Sequence, residues 1–155
     1  MINELYFANF YEDFKINQVF YHWPGKTITE SDNNLFSLLT MNHHPIHLDV
    51  EFAKHHLHGQ IVVVGTLVFA LSVGLTVRDI SGNAIVNLGY DEVRHLKPVF
   101  INDTIYAKST ILEKRISKNH SDRGIVSVQT EVFNQFEEPI MSFNRSILIP
   151  LRNKR

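Results

Sequence analysis

The chain has 155 residues, a length typical of one domain with one hydrophobic core, so we expect a single domain over residues 1–155. Hydrophobic residues make up 44% and charged residues 20%, a balance that excludes a disordered chain. Fifteen Lys and Arg against sixteen Asp and Glu leave a formal charge of −1, so nucleic acid is not an expected partner. Cysteine is absent, which excludes a disulfide framework, a thiolate metal site and a cysteine nucleophile.

We expect neither a secretion signal nor a membrane span. Its first residues place Glu4, Glu12 and Asp13 among aromatic residues instead of a basic segment followed by an apolar one. The longest apolar run, residues 61–71, is shorter than the about 20 residues that a bilayer requires. We therefore expect a cytoplasmic protein with no membrane partner.

The first part of the chain predicts one strand followed by short helices. Residues 16–29 alternate as a strand, with Pro24 breaking the pattern. Thr29 is a suitable helix N-cap with an acid three residues later, and an apolar helical stripe follows it. After a polar, proline-containing loop, Asp49 can cap a short helix over residues 50–56.

The rest of the chain predicts a long buried helix and then a sheet. We expect one helix over residues 65–78, because the apolar content there is nearly continuous, lacks alternation and is too long for a typical strand. Four segments rich in Val, Ile, Thr and Phe then predict antiparallel strands, at residues 85–93, 104–118, 124–136 and 140–151. The expected fold class is α+β: an antiparallel sheet wrapped around a long central helix, which is the hot-dog fold.

Pro45 and His47 follow the first predicted helix, and Gly65 opens the central one. Over residues 27–65 this arrangement resembles the MaoC-like family of R-specific enoyl-CoA hydratases. The signature of that family is an Asp, two residues, a Pro, one residue and a His, with a later His-Gly pair. A weaker similarity, over residues 93–104, matches the family's strand-and-turn segment.

The resemblance implies an acyl-CoA hydratase or dehydratase, a lyase that acts on a short 2-enoyl-CoA or 3-hydroxyacyl-CoA. His47 falls on the family's catalytic histidine, and an imidazole can take up and return a proton at neutral pH. Gly65 falls on the glycine whose N–H polarises the thioester carbonyl, and a helix N-terminus favours the anion that forms there. Pro45 falls on the motif proline. The candidate substrate-binding residues are Pro45, Val64, Thr66, Arg94 and Lys97, of which the two cations could meet the CoA phosphates.

Two positions depart from the family pattern. Asn42 stands where the family has its catalytic Asp, and Val64 stands where it commonly has the His before the glycine. Asn42 cannot carry a proton, and losing a positioned acid or base typically costs about 10²- to 10⁴-fold in rate. Three readings stay open: His47 shuttles the proton while Asn42 orients the water, Asp49 or His43 replaces the acid, or the chain is a non-catalytic acyl-CoA-binding module. By resemblance to particular members, the Asn variant favours branched or carboxylated substrates of the mesaconyl-CoA or itaconyl-CoA kind.

A hot-dog thioesterase is the competing enzyme class. Such an enzyme would use a carboxylate near the start of the central helix to direct water at the thioester carbonyl. The sequence has Gly65 and Thr66 at that position and no Asp or Glu. The pattern therefore favours the hydratase.

Neither a metal nor a cofactor is expected. The spacing of His43, His44 and His47 could suit a metal ion, but no H-E-x-x-H pattern accompanies it. Hydration of an activated enoyl thioester needs no metal.

The predicted sheet implies self-association. A single hot-dog sheet leaves long edge strands open, and proteins normally cover or pair such edges. We expect two chains to join edge to edge by two-fold symmetry, as a homodimer or as a higher oligomer of dimers.

Overall fold

The computed structural model describes residues 8–152. This part of the chain has one antiparallel sheet of five strands in the order β1-β3-β4-β5-β2. The strands are β1 (Val19–Thr27), β2 (Val86–His95), β3 (Thr104–Ile116), β4 (Arg123–Phe133) and β5 (Pro139–Pro150). The α-helices are α1 (Glu30–Thr40), α2 (Val50–Lys54) and α3 (Gly65–Thr76). Between residues 8 and 152, no helix is long and apolar enough to cross a membrane.

The hydrophobic core lies between α3 and one face of the sheet, and this confirms the predicted α+β hot-dog class. Leu67 and Val68 of the helix belong to one buried cluster with Ile105 of β3 and Phe143 of β5. Buried side chains alternate with less buried ones along most of β3, β4 and β5. On β4, the alternation seen in the sequence buries one set of side chains, namely Val126, Val128, Thr130 and Val132.

Strand β1 continues through Pro24, where the sequence predicted a break. Its register with β3 shifts between His22 and Lys26, so a bulge absorbs the irregularity. Proline is tolerated because β1 is an edge strand and loses no pairing on its open side. Gly25 permits close contact with β3, the neighbouring strand in the sheet, since a Cβ on residue 25 would lie 2.6 Å from Cε1 of Tyr106.

The central helix is less enclosed than the sequence predicted. It ends at Thr76 and passes into a π-helical turn, Val77–Ser81. Thr66, Ala70 and Gly74 lie on a face that is exposed in the single chain. One sheet covers one side of a helix, so the apolar sequence of α3 overstated its burial within one chain.

The orientation of helix α1 also differs from the one that its apolar stripe predicts. Leu35, Leu38 and Leu39 are 60%, 63% and 74% exposed, whereas Asn33 and Ser37 are fully buried. The three leucines of the predicted apolar stripe therefore face away from the core, whereas Phe36 packs against it beside the buried polar side of the helix.

The start of α1 is capped as predicted. Thr29 Oγ1 accepts a hydrogen bond from the Asp32 N–H at 3.2 Å, and the Asp32 carboxylate accepts one from the Thr29 N–H at 2.8 Å. The hydrogen bond from Lys26, followed by that from the Thr29 backbone, lowers the pKa of Asp32 from 3.8 to about 2. Because this pKa is lowered on folding, the stabilisation from Asp32 is complete above pH 3.8 and is lost as the pH falls towards 2.

Removing the cap should destabilise the fold. We expect Thr29→Ala to lower the free energy of unfolding by about 1 kcal/mol at neutral pH, because it leaves the Asp32 N–H without its acceptor. Urea denaturation at a fixed protein concentration measures this. The control is Thr40→Ala at the other end of α1, whose hydroxyl donates only to the Phe36 carbonyl. Equal effects of the two changes would contradict a specific role for the cap.

Candidate functional site

A cavity of about 370 Å³ lies at the head of α3. Its walls come from the turn after α1, the segment before α3, the first turns of α3, the end of β2 with the loop that follows it, and the start of β5. Most of the lining is apolar. The ionisable side chains on the wall are His47, His58, His95 and Lys97.

His47 is held in a fixed orientation on this wall. It ends the short 3₁₀ turn Pro45–His47, and its Nδ1 lies 2.6 Å from the Val62 carbonyl oxygen. A carbonyl can only accept, so Nδ1 carries the proton of the neutral ring and Nε2 keeps the lone pair. Nε2 is therefore the nitrogen that can take a proton from a bound molecule.

Pro45 positions His47 and does not line the cavity. It begins the 3₁₀ turn, where the fixed φ of proline is favourable. Its carbonyl accepts hydrogen bonds from the N–H groups of Leu48 and Asp49, at 3.1 and 2.8 Å. Pro45 thus helps to build the loop that carries His47, and its predicted role in substrate binding stays a prediction.

Asn33, which the sequence analysis did not single out, joins His47 to the head of α3. Its side chain is fully buried, donates from Nδ2 to the His47 carbonyl at 2.8 Å, and accepts from the Val64 N–H at 3.0 Å. No signal in one sequence separates this residue from its neighbour Asn34, because burial of a polar helix position is decided by tertiary packing.

Gly65 opens α3 and lines the cavity. The Leu67 N–H donates to the Val64 carbonyl at 3.0 Å, whereas the N–H groups of Gly65 and Thr66 have no acceptor within the helix, and the N-cap residue Val64 has no polar side chain to supply one. Such donors, together with the helix dipole, suit an oxygen that gains negative charge. A Cβ on residue 65 would lie 2.8 Å from Cε1 of His95, so glycine lets this imidazole approach the helix start.

Of the other predicted substrate-binding residues, Lys97 lines the cavity, and Val64, Thr66 and Arg94 do not. Lys97 lines it, but its Nζ lies 2.6 Å from Glu138 Oε1, and this hydrogen bond, with that of Asn134, lowers the pKa of Glu138. Val64 is buried in the core, with 1% of its surface exposed. Thr66 and Arg94 are exposed and lie outside the lining, and the Arg94 guanidinium is 3.9 Å from Glu92.

Asn42 also lies outside the cavity lining. It follows the left-handed Met41 that ends α1, and its backbone N–H donates to the Ser37 carbonyl at 3.0 Å. Among residues 8–152, no hydrogen bond joins Asn42 to His47, and the expected approach of the two side chains through one water stays a prediction. Asp49, one alternative acid, caps α2 by accepting from the Phe52 N–H at 2.9 Å.

The histidines show no metal-binding arrangement. His44 and His47 have ring centroids 6.0 Å apart, and the His44 Nδ1 accepts from the Ile46 N–H. Over residues 8–152, no group of three His, Asp or Glu side chains is arranged to hold a metal ion.

The family described as MaoC like domain matches residues 13–132. The chain belongs to the MaoC-like family. It is 34% identical over 146 residues to the mesaconyl-CoA hydratase of Cereibacter sphaeroides, covering 94% of this chain and 42% of that protein. It is 32% identical over the same length to the beta-methylmalyl-CoA dehydratase of Chloroflexus aurantiacus, covering 94% of this chain and 41% of that protein.

A solved structure of a putative MaoC domain protein dehydratase from Chloroflexus aurantiacus superimposes with a TM-score of 0.90 at 32% identity, covering 96% of this chain and 42% of that one. A chain called monoamine oxidase regulatory protein, from Archaeoglobus, gives a TM-score of 0.81 at 32% identity, covering 93% of this chain and 95% of that one. This MaoC-like chain thus spans less than half the length of the two curated relatives, although it spans nearly all of the Archaeoglobus chain.

The Asn33 bridge generates a stability prediction. Asn33→Ala should lower the free energy of unfolding by about 2 kcal/mol or more, because the buried Val64 N–H and the partly buried His47 carbonyl lose their partner. Asn34→Ala, on the partly buried neighbour, should change it by about 0.5 kcal/mol or less. Urea denaturation compares the two, and the ¹⁵N NMR signals of the His47 ring report whether the Nδ1–H tautomer survives. Similar stabilities with an unchanged tautomer would show that Asn33 does not hold the loop.

Proposed function

We propose that this MaoC-like chain is an acyl-CoA hydratase or dehydratase, which adds water to a short 2-enoyl-CoA or removes it from the 3-hydroxyacyl-CoA. The observation that carries the proposal is that His47, with its lone pair on Nε2, and the uncapped start of α3 at Gly65 line one cavity. The names of the two curated relatives, a hydratase and a dehydratase of CoA thioesters, support the same reaction class.

The geometry suits one sequence of bond changes. Nε2 of neutral His47 takes a proton from water while the water oxygen bonds to the β-carbon of the enoyl group. The electrons of the carbon–carbon double bond move to the thioester oxygen, where the Gly65 N–H stabilises the resulting enolate. The imidazolium of His47 then returns the proton to the α-carbon, so that H and OH have been added, and dehydration is the reverse.

In this mechanism His47 does all of the proton transfer. Asn42, in place of the family's Asp, supplies an amide that can orient water but cannot ionise. No Asp or Glu belongs to the cavity wall in the described part of the chain, so the carboxylate that a hot-dog thioesterase would need is missing there. The wall therefore favours hydration over thioester hydrolysis.

Self-association through β2 completes the proposal. β2 is the second edge of the sheet, and Val86, Leu88 and Val93 on it are 45%, 49% and 40% exposed. A Mycobacterium tuberculosis chain described as having a double hotdog fold superimposes with a TM-score of 0.87, and this chain covers 46% of it. A homodimer would supply by symmetry what that chain contains in one polypeptide. With an acyl-CoA as its partner, the protein would work in the cytoplasm, where such thioesters are made.

The catalytic assignment is tested by paired substitutions. His47→Ala should lower kcat for hydration of crotonyl-CoA or mesaconyl-CoA by about 10²- to 10⁴-fold, because it removes the only base on the proposed path. Asn42→Asp should keep or raise the rate by adding a group that can ionise. Loss of enoyl absorbance and release of free thiol are followed together, with His55→Ala, which lies outside the cavity wall, as the control.

Each other result has a distinct meaning. Full activity in His47→Ala would remove the catalytic role of this residue. Thiol release without hydration would identify a thioesterase. A parent protein that binds enoyl-CoA thioesters but converts none would be an acyl-CoA-binding module.

The mode of association is tested at the two sheet edges. Light scattering at micromolar concentration should give at least twice the 17.9 kDa mass of the chain. Leu88→Lys on β2 should shift the protein towards the monomer, because it places a charge in the proposed interface, whereas Val19→Lys on the β1 edge should not. A monomeric parent, or dissociation only by Val19→Lys, would contradict pairing through β2.

A further inference from the structure

The cavity wall has hydrogen-bond donors and no acid. Three imidazoles and one ammonium are its ionisable groups in the described part of the chain, and the remaining lining is mainly apolar. Of these groups, His47 is assigned to proton transfer and the Lys97 ammonium is bound to Glu138 at 2.6 Å. His58 and His95 are therefore donors that the proposed mechanism does not use.

His95 lies beside the start of α3, where the proposed mechanism places the thioester oxygen. Its Cε1 and Nε2 are 2.8 and 3.2 Å from the position of a Cβ on Gly65, so the ring edge lies against the start of α3. His58 is on another part of the wall, with its ring packed edge-to-face on Phe100 at 5.8 Å. An imidazole donates an N–H hydrogen bond whether it is neutral or protonated, so both rings can bind an anion.

We propose that His95, assisted by His58, binds a free carboxylate on the acyl group, and that these two histidines are the residues that select the CoA thioester of an unsaturated dicarboxylic acid over a straight-chain one. This inference rests on the proposed hydratase function. A straight-chain enoyl group would leave the imidazole donors without a partner, and sites built to hydrogen-bond a polar group discriminate strongly against analogues that lack it.

The CoA phosphates are the other possible source of an anion. The pantetheine arm separates them from the thioester, so a thioester oxygen at Gly65 keeps the phosphates away from His95. A carboxylate only a few bonds from the thioester can reach the ring. The position of His95 beside Gly65 therefore favours the acyl carboxylate.

The test compares two substrates that differ only in this group. Mesaconyl-CoA carries the carboxylate, and 2-methylcrotonyl-CoA has a methyl group in its place. His95→Leu should lower kcat/KM for mesaconyl-CoA by about 10- to 100-fold, the loss of one hydrogen bond to a charged group, and should change kcat/KM for 2-methylcrotonyl-CoA by less than about threefold. His95→Asn, which keeps an N–H donor, should recover part of the loss, and His55→Leu outside the wall should match the parent.

Three outcomes would overturn the subsite. Equal losses on both substrates would place His95 on the thioester oxygen or in the fold, and no loss on either would remove it from binding. The N-acetylcysteamine thioesters of the same two acyl groups lack the CoA phosphates. If His95→Leu does not change the preference for the mesaconyl thioester over the 2-methylcrotonyl one, the anion that His95 binds belongs to CoA.

Titration calorimetry separates this proposal from the proposed function. A parent that converts neither substrate, yet binds mesaconyl-CoA more tightly than 2-methylcrotonyl-CoA in a His95-dependent way, would refute the hydratase and support the subsite. Binding without that preference would refute the subsite.

Discussion

The buried amide of Asn33 joins the loop that carries His47 to the peptide that precedes Gly65. Around it, the His47 ring donates to Val62, and the Val62 N–H donates to the Ile46 carbonyl at 3.2 Å. Each of these bonds is worth about 0.5–1.5 kcal/mol, but a buried group left without its partner costs more. The His47 ring and the start of α3 are therefore held relative to each other by bonds that are costly to break singly, which is the preorganisation that the proposed hydration requires.

The position of α3 depends on polar contacts at both ends. Its sequence is almost uniformly apolar, so hydrophobic burial specifies that it is covered but does little to fix its translation along the sheet. Asn33 holds the head. Beyond the tail, Asp79 accepts from the His22 ring at 2.7 Å, and the other nitrogen of that ring lies 2.8 Å from the Ser109 hydroxyl. A shift of the helix would break contacts at both ends, so this buried network helps to place Gly65 against the cavity.

Much of the fold could be predicted because its causes are local. Alternation along β4, the cap at Thr29 and the length of the apolar segment at α3 each belong to one stretch of sequence. The outward face of α1 could not be predicted, because its leucines form a normal helical stripe and only tertiary packing shows that Asn33 is turned inward. The passage of β1 through Pro24 depended on its place at the sheet edge, which one strand cannot reveal.

The candidate site also has one part that the sequence predicts and another that only the fold reveals. His47 and Gly65 lie in motifs whose spacing is visible in the sequence, and the structure places both on one cavity wall. His58 and His95 lie 37 positions apart in the numbering and meet His47 only through the fold. Their sequence neighbourhoods carry no signal, since an exposed histidine on a strand or loop is normally only a solvated side chain.

The most direct test is a crystal structure of the protein with a 3-hydroxyacyl-CoA bound. We expect the hydroxyl oxygen within about 2.6–3.2 Å of His47 Nε2 and the thioester oxygen within about 2.7–3.1 Å of the Gly65 nitrogen. The His47 Nδ1 should still contact the Val62 carbonyl. An acyl group bound away from the head of α3, or a His47 ring turned so that Nδ1 faces the substrate, would contradict the proposed mechanism.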